Sequence, residues 1–204
     1  MTLTPQHFQL YDNRSLSKFL VRLTQINALI SVFQAGIIIK SKGGTEGMYA
    51  TTLKLETNQW VLAITIVPFL INMILFLQWK YRSTSNVFSR IGPQTITPAG
   101  AVYWYFVPVA WFWKPYEAML NLKNAYHADG KPGLALWWLL FWASIVVPVI
   151  FGTKFPEPVQ TMSDAGSYIL FSLLMYGAEA ASLWIAADVV KLIASAEAKA
   201  LGQA

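Results

Sequence analysis

The sequence predicts an all-α integral membrane protein, a bundle of about four transmembrane helices. Its composition, the length of its apolar segments and its charge pattern all point to this class. The chain has 204 residues, of which 55% are hydrophobic and 12% are charged, and its mean hydropathy is +0.44. Soluble domains carry about 25% charged residues. Most of this chain therefore cannot face water, and we expect residues 1–204 to form a single transmembrane domain.

Four apolar segments are long enough to cross a bilayer, because a hydrocarbon core of about 30 Å requires about 20 helical residues. They are residues 20–39, 60–79, 134–152 and 169–190. Trp60 and Trp79 bracket the second segment, as residues of an aromatic belt do. Pro68 lies inside it and predicts a kink. Residues 40–58, between the first two segments, are predicted to form a polar loop.

A fifth apolar segment, residues 99–113, is rich in aromatic residues and contains Pro108. As one helix it would reach only about 22 Å. Pro115 then begins an amphipathic helix that runs to about Tyr126, at a position where proline is tolerated. We therefore expect residues 99–126 to form a re-entrant or interfacial element rather than a crossing. The alternative is that this segment crosses, which would give five spans.

The distribution of Lys and Arg favours four spans. In that topology ten basic residues fall on one side: Arg14, Lys18, Lys80, Arg82, Arg90, Lys114, Lys123, Lys131, Lys191 and Lys199. Four fall on the other side: Lys40, Lys42, Lys54 and Lys154. With five spans, six of these basic residues would lie on one side of the membrane and eight on the other. That difference does not indicate an orientation. Because cytoplasmic loops carry the excess of basic residues, we expect a multi-pass protein with both termini in the cytoplasm.

The chain lacks cysteine and has only two histidines, two residue types that many enzymes and cofactor proteins use. The chain has no cysteine, which excludes disulfides, thiolate metal sites and cysteine nucleophiles. Its two histidines, His7 and His127, lie outside the predicted spans, which argues against a bis-histidine haem and a Ser-His intramembrane hydrolase. We therefore predict no enzymatic activity, no catalytic residue, no metal and no cofactor, with lipid as the expected bound molecule. The net charge of +5 is explained by cytoplasmic loops and anionic headgroups rather than by nucleic acid.

Glu179 is the most informative single residue, because it lies in the middle of the last predicted span. A charged carboxylate at mid-bilayer costs about 3 kcal/mol. It must therefore face the bundle interior, be protonated or have a partner, for which Asn72 and Arg22 are the candidates. One interpretation is a proton or cation site. The other is a structural hydrogen bond that fixes the register of the helix.

The density of aromatic residues around residue 110 exceeds what anchoring at the membrane interface requires. We therefore predict a surface here that contacts lipid or a partner protein. Its candidate residues are Trp104, Pro108, Trp111, Trp113, Pro115 and Tyr116.

The region from Trp79 to Trp138 carries an ordered set of unusual residues. They are Trp79, Arg82, Asn86, Gly92, Thr97-Pro98, Tyr103-Trp104, Phe106-Val107-Pro108, Lys114-Pro115-Tyr116, Ala118-Met119 and Trp137-Trp138. In this set the chain resembles the bacterial membrane family catalogued as domain of unknown function 4328. The resemblance implies a helical protein of the bacterial cytoplasmic (inner) membrane. It implies no catalytic residue, since the family has no assigned activity.

Two main hypotheses for function follow. The first is a non-enzymatic accessory or scaffolding subunit of a membrane protein complex, which packs against partner proteins, lipid or copies of itself. The second is a small proton- or ion-coupled transporter or channel-like protein that uses Glu179. A weaker third hypothesis is a lipid-handling protein that contacts headgroups through residues 99–126.

Overall fold

The computed structural model describes residues 10–42, 44–128, 130, 133–152 and 162–202, and within these ranges it is helical and has no β-strand. The helices are α1 (Arg14–Ile39), α2 (Gly44–Thr57), α3 (Gln59–Ile91), α4 (Pro98–Tyr103), α5 (Lys114–Ala125), α6 (Leu134–Gly152) and α7 (Met162–Ala200). The predicted all-α class is confirmed. His7, Lys131 and Lys154, used in the sequence analysis, lie outside the described residues.

Among the described residues, three helices are long and apolar enough to cross a membrane: α1, α3 and α7. They contain the predicted spans 20–39, 60–79 and 169–190. The helix α6 has the same bounds as the predicted segment 134–152. At 19 residues it is shorter than α1, α3 and α7. These lengths and compositions indicate association with a membrane.

Residues 40–58 do not form the predicted polar loop, because most of them belong to α2. Thr51 and Thr52 hydrogen-bond the carbonyl oxygens four residues earlier, so their hydroxyls are satisfied within the helix. Glu46 in the first turn and Lys54 in the last complement the helix dipole. Leu55 packs with two other buried residues, on α1 and α7. The prediction of a loop was wrong because it took polarity as a sign of irregular structure.

The chain divides into two compact units. Unit 1 is drawn from residues 1–21, 72–134 and 188–204, and unit 2 from residues 22–71 and 135–187. The short helices α4 and α5 belong to unit 1, whereas α2 belongs to unit 2. The three long helices each contribute residues to both units.

Residues 99–113 do not form one continuous helix. They begin in the six-residue α4, which is capped by the Thr97 side chain accepting a hydrogen bond from the Gly100 N–H at 3.0 Å. Two 3-10 helices follow, Trp104–Phe106 and Ala110–Phe112. The partly buried Trp104 packs against a small buried cluster in unit 1.

A strained γ-turn separates the two 3-10 helices. The Ala110 N–H donates to the Pro108 carbonyl at 2.9 Å, and Val109 between them has φ 70° and ψ −57°. This conformation is rare and strained, especially for a β-branched residue. The Val109 side chain is 66% exposed, so its burial does not compensate for the strain.

We expect Val109→Gly to raise the free energy of unfolding by about 1 kcal/mol, because glycine accepts a positive φ. Val109→Ala keeps a Cβ atom and should give little of this gain. The matched control is Val107→Gly, at an ordinary φ of −97°, which should lower stability. Thermal unfolding of the purified protein in detergent measures all three. A loss of stability in Val109→Gly as large as that in Val107→Gly would contradict the strained turn.

Candidate functional site

A cavity of about 340 Å³ lies within unit 2, between residues of α2, α3, α6 and α7. Two carboxylates line it, Glu56 from α2 and Glu179 from α7. The rest of the wall is mainly apolar and includes four aromatic rings and three serines. These residues are Phe69, Phe141, Phe171, Tyr176, Ser144, Ser172 and Ser182. Such a wall, mostly apolar with a few polar groups, is typical of sites that bind small ligands.

Neutral groups hold the Glu56 carboxylate in place. The hydroxyl of Tyr168 donates to Oε2, and Ser172 Oγ donates to Oε1 at 3.3 Å. The Tyr168 ring packs edge-on against Tyr49 of α2, with ring centroids 5.6 Å apart. Glu56 therefore has a fixed position and no basic partner among the described residues.

Glu179 lies on α7 and lines the same cavity wall as Ser182 and Tyr176. It is partly buried, and no described basic side chain forms an ion pair with it. Tyr176 interacts electrostatically with both Glu179 and Glu56. Both carboxylates line one cavity, so a ligand bound there can lie against both.

Three polar residues of the first predicted span, Asn27, Ser31 and Gln34, are buried on α1 within unit 2. Asn27 Nδ2 donates to the Pro68 carbonyl at 3.4 Å, and Gln34 Nε2 donates to Thr65 Oγ1 at 3.1 Å. The other amide oxygens, Asn27 Oδ1 and Gln34 Oε1, are buried without a hydrogen-bond partner. Buried acceptors of this kind generally bind water or another donor. This face is therefore suited to hold water inside the unit.

The three residues of the predicted polar site, Glu179, Arg22 and Asn72, lie in different surroundings. Glu179 lines the cavity, as a functional residue would. Arg22 is exposed, does not line the cavity and makes no ion pair with Glu179. Asn72 is buried in unit 1. Glu56 was missed because it lies in the predicted loop.

A helical pattern in α2 could have revealed Glu56. Met48, Thr52 and Leu55 follow helical spacing, and no proline interrupts residues 44–57. Thr52 and Leu55 are buried, and Met48 packs against the same apolar cluster as Leu55. The next residue, Glu56, then falls beside that buried face.

The predicted aromatic surface is only partly exposed. Pro108 and Trp113 are exposed, whereas Trp104, Trp111 and Tyr116 are half-buried. Pro115 is buried, so it contributes to packing and not to the surface. The exposed surface is formed instead by four aromatic residues, Tyr103, Phe106, Phe112 and Trp113, with Val109 among them. These five residues are 48–66% exposed, and we call them the exposed aromatic surface.

A buried carboxylate that the sequence analysis did not single out lies in unit 1. Glu197 is 2% exposed and accepts hydrogen bonds from four side chains. Asn86 Nδ2 donates at 2.6 Å, Ser83 Oγ at 2.8 Å and Asn13 Nδ2 at 3.1 Å. The Tyr126 hydroxyl lies 3.3 Å from Glu197 and shares its single proton with the Ser83 carbonyl at 3.1 Å. Four donors satisfy this carboxylate, so it has a structural role.

Asn86 also ties the segment before α1 to α3. Its Oδ1 accepts from the Tyr11 N–H at 2.7 Å, and its Nδ2 donates to the Tyr11 carbonyl at 2.9 Å. The same Nδ2 group reaches Glu197. Asn86 is one of the residues in which the chain resembles the family. These hydrogen bonds explain why an asparagine side chain suits that position.

Unit 1 also buries a lysine. Lys80 is fully buried, and its Nζ donates to the Tyr105 hydroxyl at 3.0 Å and to the Pro115 carbonyl at 2.9 Å. The ammonium also lies 4.6 Å from the centroid of the Tyr105 ring and 5.8 Å from that of Phe76. Lys80 therefore connects α3 to the 3-10 helix Trp104–Phe106 and to α5 without any carboxylate.

Tyr126 should make unit 1 sensitive to alkaline pH. Burial, and then the adjacent Glu197 carboxylate, raise the pKa of the Tyr126 phenol above its ordinary value of 10.0. Above pH 10 the unfolded chain releases a proton that the folded protein retains, so stability falls as pH rises. We expect Tyr126→Phe to reduce this fall between pH 10 and roughly 11.5. Unfolding midpoints across this range measure it, with the exposed Tyr103→Phe as control; equal slopes in the two variants would contradict it.

The fold and the cavity define a class: an all-helical protein with helices long enough to cross a membrane and a cavity lined by two carboxylates. The chain belongs to the family described as domain of unknown function (DUF4328), whose model matches residues 52–195. The match is wider than the region that carried the resemblance, and it includes α6 and most of α7. No curated protein and no solved structure shows significant similarity to the chain.

Proposed function

We propose that the protein is a small ion-coupled transport protein that binds a cation at Glu56 and Glu179. The observation that carries this proposal is the cavity of unit 2, in which two carboxylates lie among aromatic rings without a described basic partner. A scaffold has no need for such a pair, because a carboxylate in an apolar wall is costly unless something compensates its charge. The cavity thus favours the transport hypothesis over the accessory subunit.

We further propose four spans in the bacterial cytoplasmic membrane, with both termini in the cytoplasm. The Lys and Arg count supports this topology. So does the division of residues 99–113 into short pieces, because only a continuous helix satisfies its own backbone in lipid. Reporter fusions at Gly130 and after the last residue should both give cytoplasmic signals. Opposite signals would contradict four spans.

Flux through reconstituted protein tests the transport function. Purified protein in liposomes should carry at least one monovalent cation among Na⁺, Rb⁺, H⁺ and tetramethylammonium, read with isotopes or an internal pH dye. Glu179→Gln and Glu56→Gln should each lower that flux by about tenfold or more, because each removes a charge that contacts the cation. Glu46→Gln is the matched control, since Glu46 is exposed on the same helix as Glu56 and does not line the cavity. Absence of flux, or equal flux in all variants, would count against the proposal.

A second candidate function is the accessory or scaffolding subunit, and the exposed aromatic surface favours it. Phe106 and Phe112 are 64% and 51% exposed, and the strained turn lies between them. A purified complex that forms through this surface should lose its partner in the double variant Phe106→Ser and Phe112→Ser. It should keep its partner in Phe33→Ser, which changes an exposed ring in unit 2. Equal retention by both variants would reject this surface as the interface.

A further inference from the structure

We infer that the cavity of unit 2 recognises an organic ammonium ion, that is, a cationic nitrogen that carries apolar substituents. The inference rests on the proposed function, since it names the class of cation that the same site takes. It is carried by the pairing of two carboxylates with four aromatic rings in one cavity wall.

The aromatic rings favour an organic cation over a bare metal ion. Phe69, Phe141, Phe171 and Tyr176 line the cavity, and a cation over the face of an aromatic ring is attracted by its quadrupole. One face of Phe141 is stacked on Trp138, with ring centroids 5.2 Å apart. A weakly hydrated ammonium gains this attraction at little cost, because its substituents are already apolar. Quaternary ammonium ions are bound in aromatic cages for this reason.

The oxygen atoms of the cavity are too few for a hard metal ion. Ca²⁺ takes six to eight oxygen ligands, and Mg²⁺ demands a near-octahedral set. In the part of the chain that the structure describes, no three acidic or histidine side chains group closely enough to hold a metal. Glu56 already accepts two hydrogen bonds, which reduces its free coordination further.

The two carboxylates supply the charge that an ammonium ion needs. No described Lys or Arg is paired with either of them, so their charge is available to a ligand. Both line the same cavity, so they lie around a common volume. In an apolar wall this attraction is far stronger than in water.

The size and the wall of the cavity also fit such a ligand. Its volume of about 340 Å³ is near the lower end for small-molecule sites. A benzene ring joined to one quaternary nitrogen fits this volume. Met175 lines the same wall, and methionine adapts its shape to irregular apolar groups.

An ammonium ion can reach the cavity from two sources. It can be a free amphiphilic solute, or it can be the headgroup of a lipid such as phosphatidylethanolamine. Both present a cationic nitrogen on an alkyl chain to the same carboxylates and rings, although that of phosphatidylethanolamine is a primary ammonium with three N–H donors. Binding in bilayers with and without this lipid distinguishes them.

The test is calorimetric titration of the full-length protein with benzyltrimethylammonium and with neopentylbenzene, its uncharged carbon isostere. We expect the cation to bind at least about tenfold more tightly than the isostere. Phe171→Leu should weaken cation binding several-fold and Glu179→Gln about tenfold. Phe33→Leu and Glu46→Gln, which change exposed residues outside the cavity, should leave binding unchanged. The wild-type comparison needs no variant, so a variant that fails to fold does not prevent the test.

Titration of the protein in nanodiscs with benzyltrimethylammonium distinguishes the two sources of the ammonium ion. Competition by phosphatidylethanolamine, relative to nanodiscs of phosphatidylglycerol alone, supports the ammonium site with a lipid headgroup as its source. Absence of competition supports the ammonium site with a free solute as its source.

Two results would overturn the inference. Equal binding of the cation and its isostere would make the cavity a site for apolar molecules. Flux of Na⁺, Rb⁺ or H⁺ that depends on Glu179, without any binding of benzyltrimethylammonium, would reject the ligand class and leave the proposed function intact. Loss of both the flux and the binding would reject the proposed function as well.

Discussion

Replacing Glu197 with alanine is expected to lower the free energy of unfolding by about 3–5 kcal/mol, the largest effect we predict for one side chain. The substitution leaves Asn13, Ser83, Asn86 and Tyr126 without the acceptor that they share. A buried donor that loses its partner bears its full desolvation cost. Thermal and denaturant unfolding in detergent, followed by far-UV circular dichroism, measures the loss.

Two further variants show whether the loss comes from the hydrogen bonds. Glu197→Gln keeps the shape and one acceptor oxygen, and Ser83 can accept from its new amide, so it should lose only about 1–2 kcal/mol. Glu117→Ala removes a carboxylate whose ion pair with Lys114 is partly exposed, and it should change stability by about 0.5 kcal/mol or less. If Glu197→Ala were as mild as Glu117→Ala, the buried network would not be a source of stability.

Replacing Lys80 with alanine is expected to cost about 3 kcal/mol and to loosen the segment from Trp104 to Trp113. The variant loses the hydrogen bonds to Tyr105 and Pro115 and leaves a void where the three methylenes beyond Cβ and the amino group packed. Because these bonds join that segment to α3, chymotrypsin should cut its exposed aromatic residues faster. Limited proteolysis with mass spectrometry locates the cuts, and thermal unfolding gives the overall loss.

The Lys80 variants separate charge from packing. Lys80→Met keeps an apolar stem of similar length and should cost about 1–2 kcal/mol, since the Pro115 carbonyl still loses a donor. Lys191→Ala, at an exposed position in unit 1, should stay within about 0.5 kcal/mol of wild type. Unchanged proteolysis in Lys80→Ala would show that Lys80 does not hold the segment.

The apolar segments were predictable because their signal is local. Residues 134–152 became a helix with the predicted bounds, since 19 consecutive residues of mostly apolar character leave few alternatives. The interruption of residues 99–113 also followed from local chemistry, because Pro108 removes a backbone donor. The strained position of Val109 did not, because valine avoids a positive φ on its own.

The residues that build the two polar sites were less predictable, because their meaning comes from distant partners. Glu197 lies seven residues beyond the predicted span 169–190 and reads as an exposed residue at the end of a helix. Only the fold brings Asn13 and Ser83 to it. Glu179 could be found because a carboxylate at its predicted depth in the membrane is unusual. Glu56 lies outside the predicted spans, so no predicted depth marks it.

The Glu197 network also sets an order of events during synthesis. Asn13 and Glu197 are separated by 184 residues, so their hydrogen bond cannot form until almost all of the intervening chain has left the ribosome. At about 5–20 residues per second, this delay is on the order of 10–40 s. Ser83 and Asn86 are made 114 and 111 residues before Glu197, so they lack this acceptor for about 5–25 s of that interval.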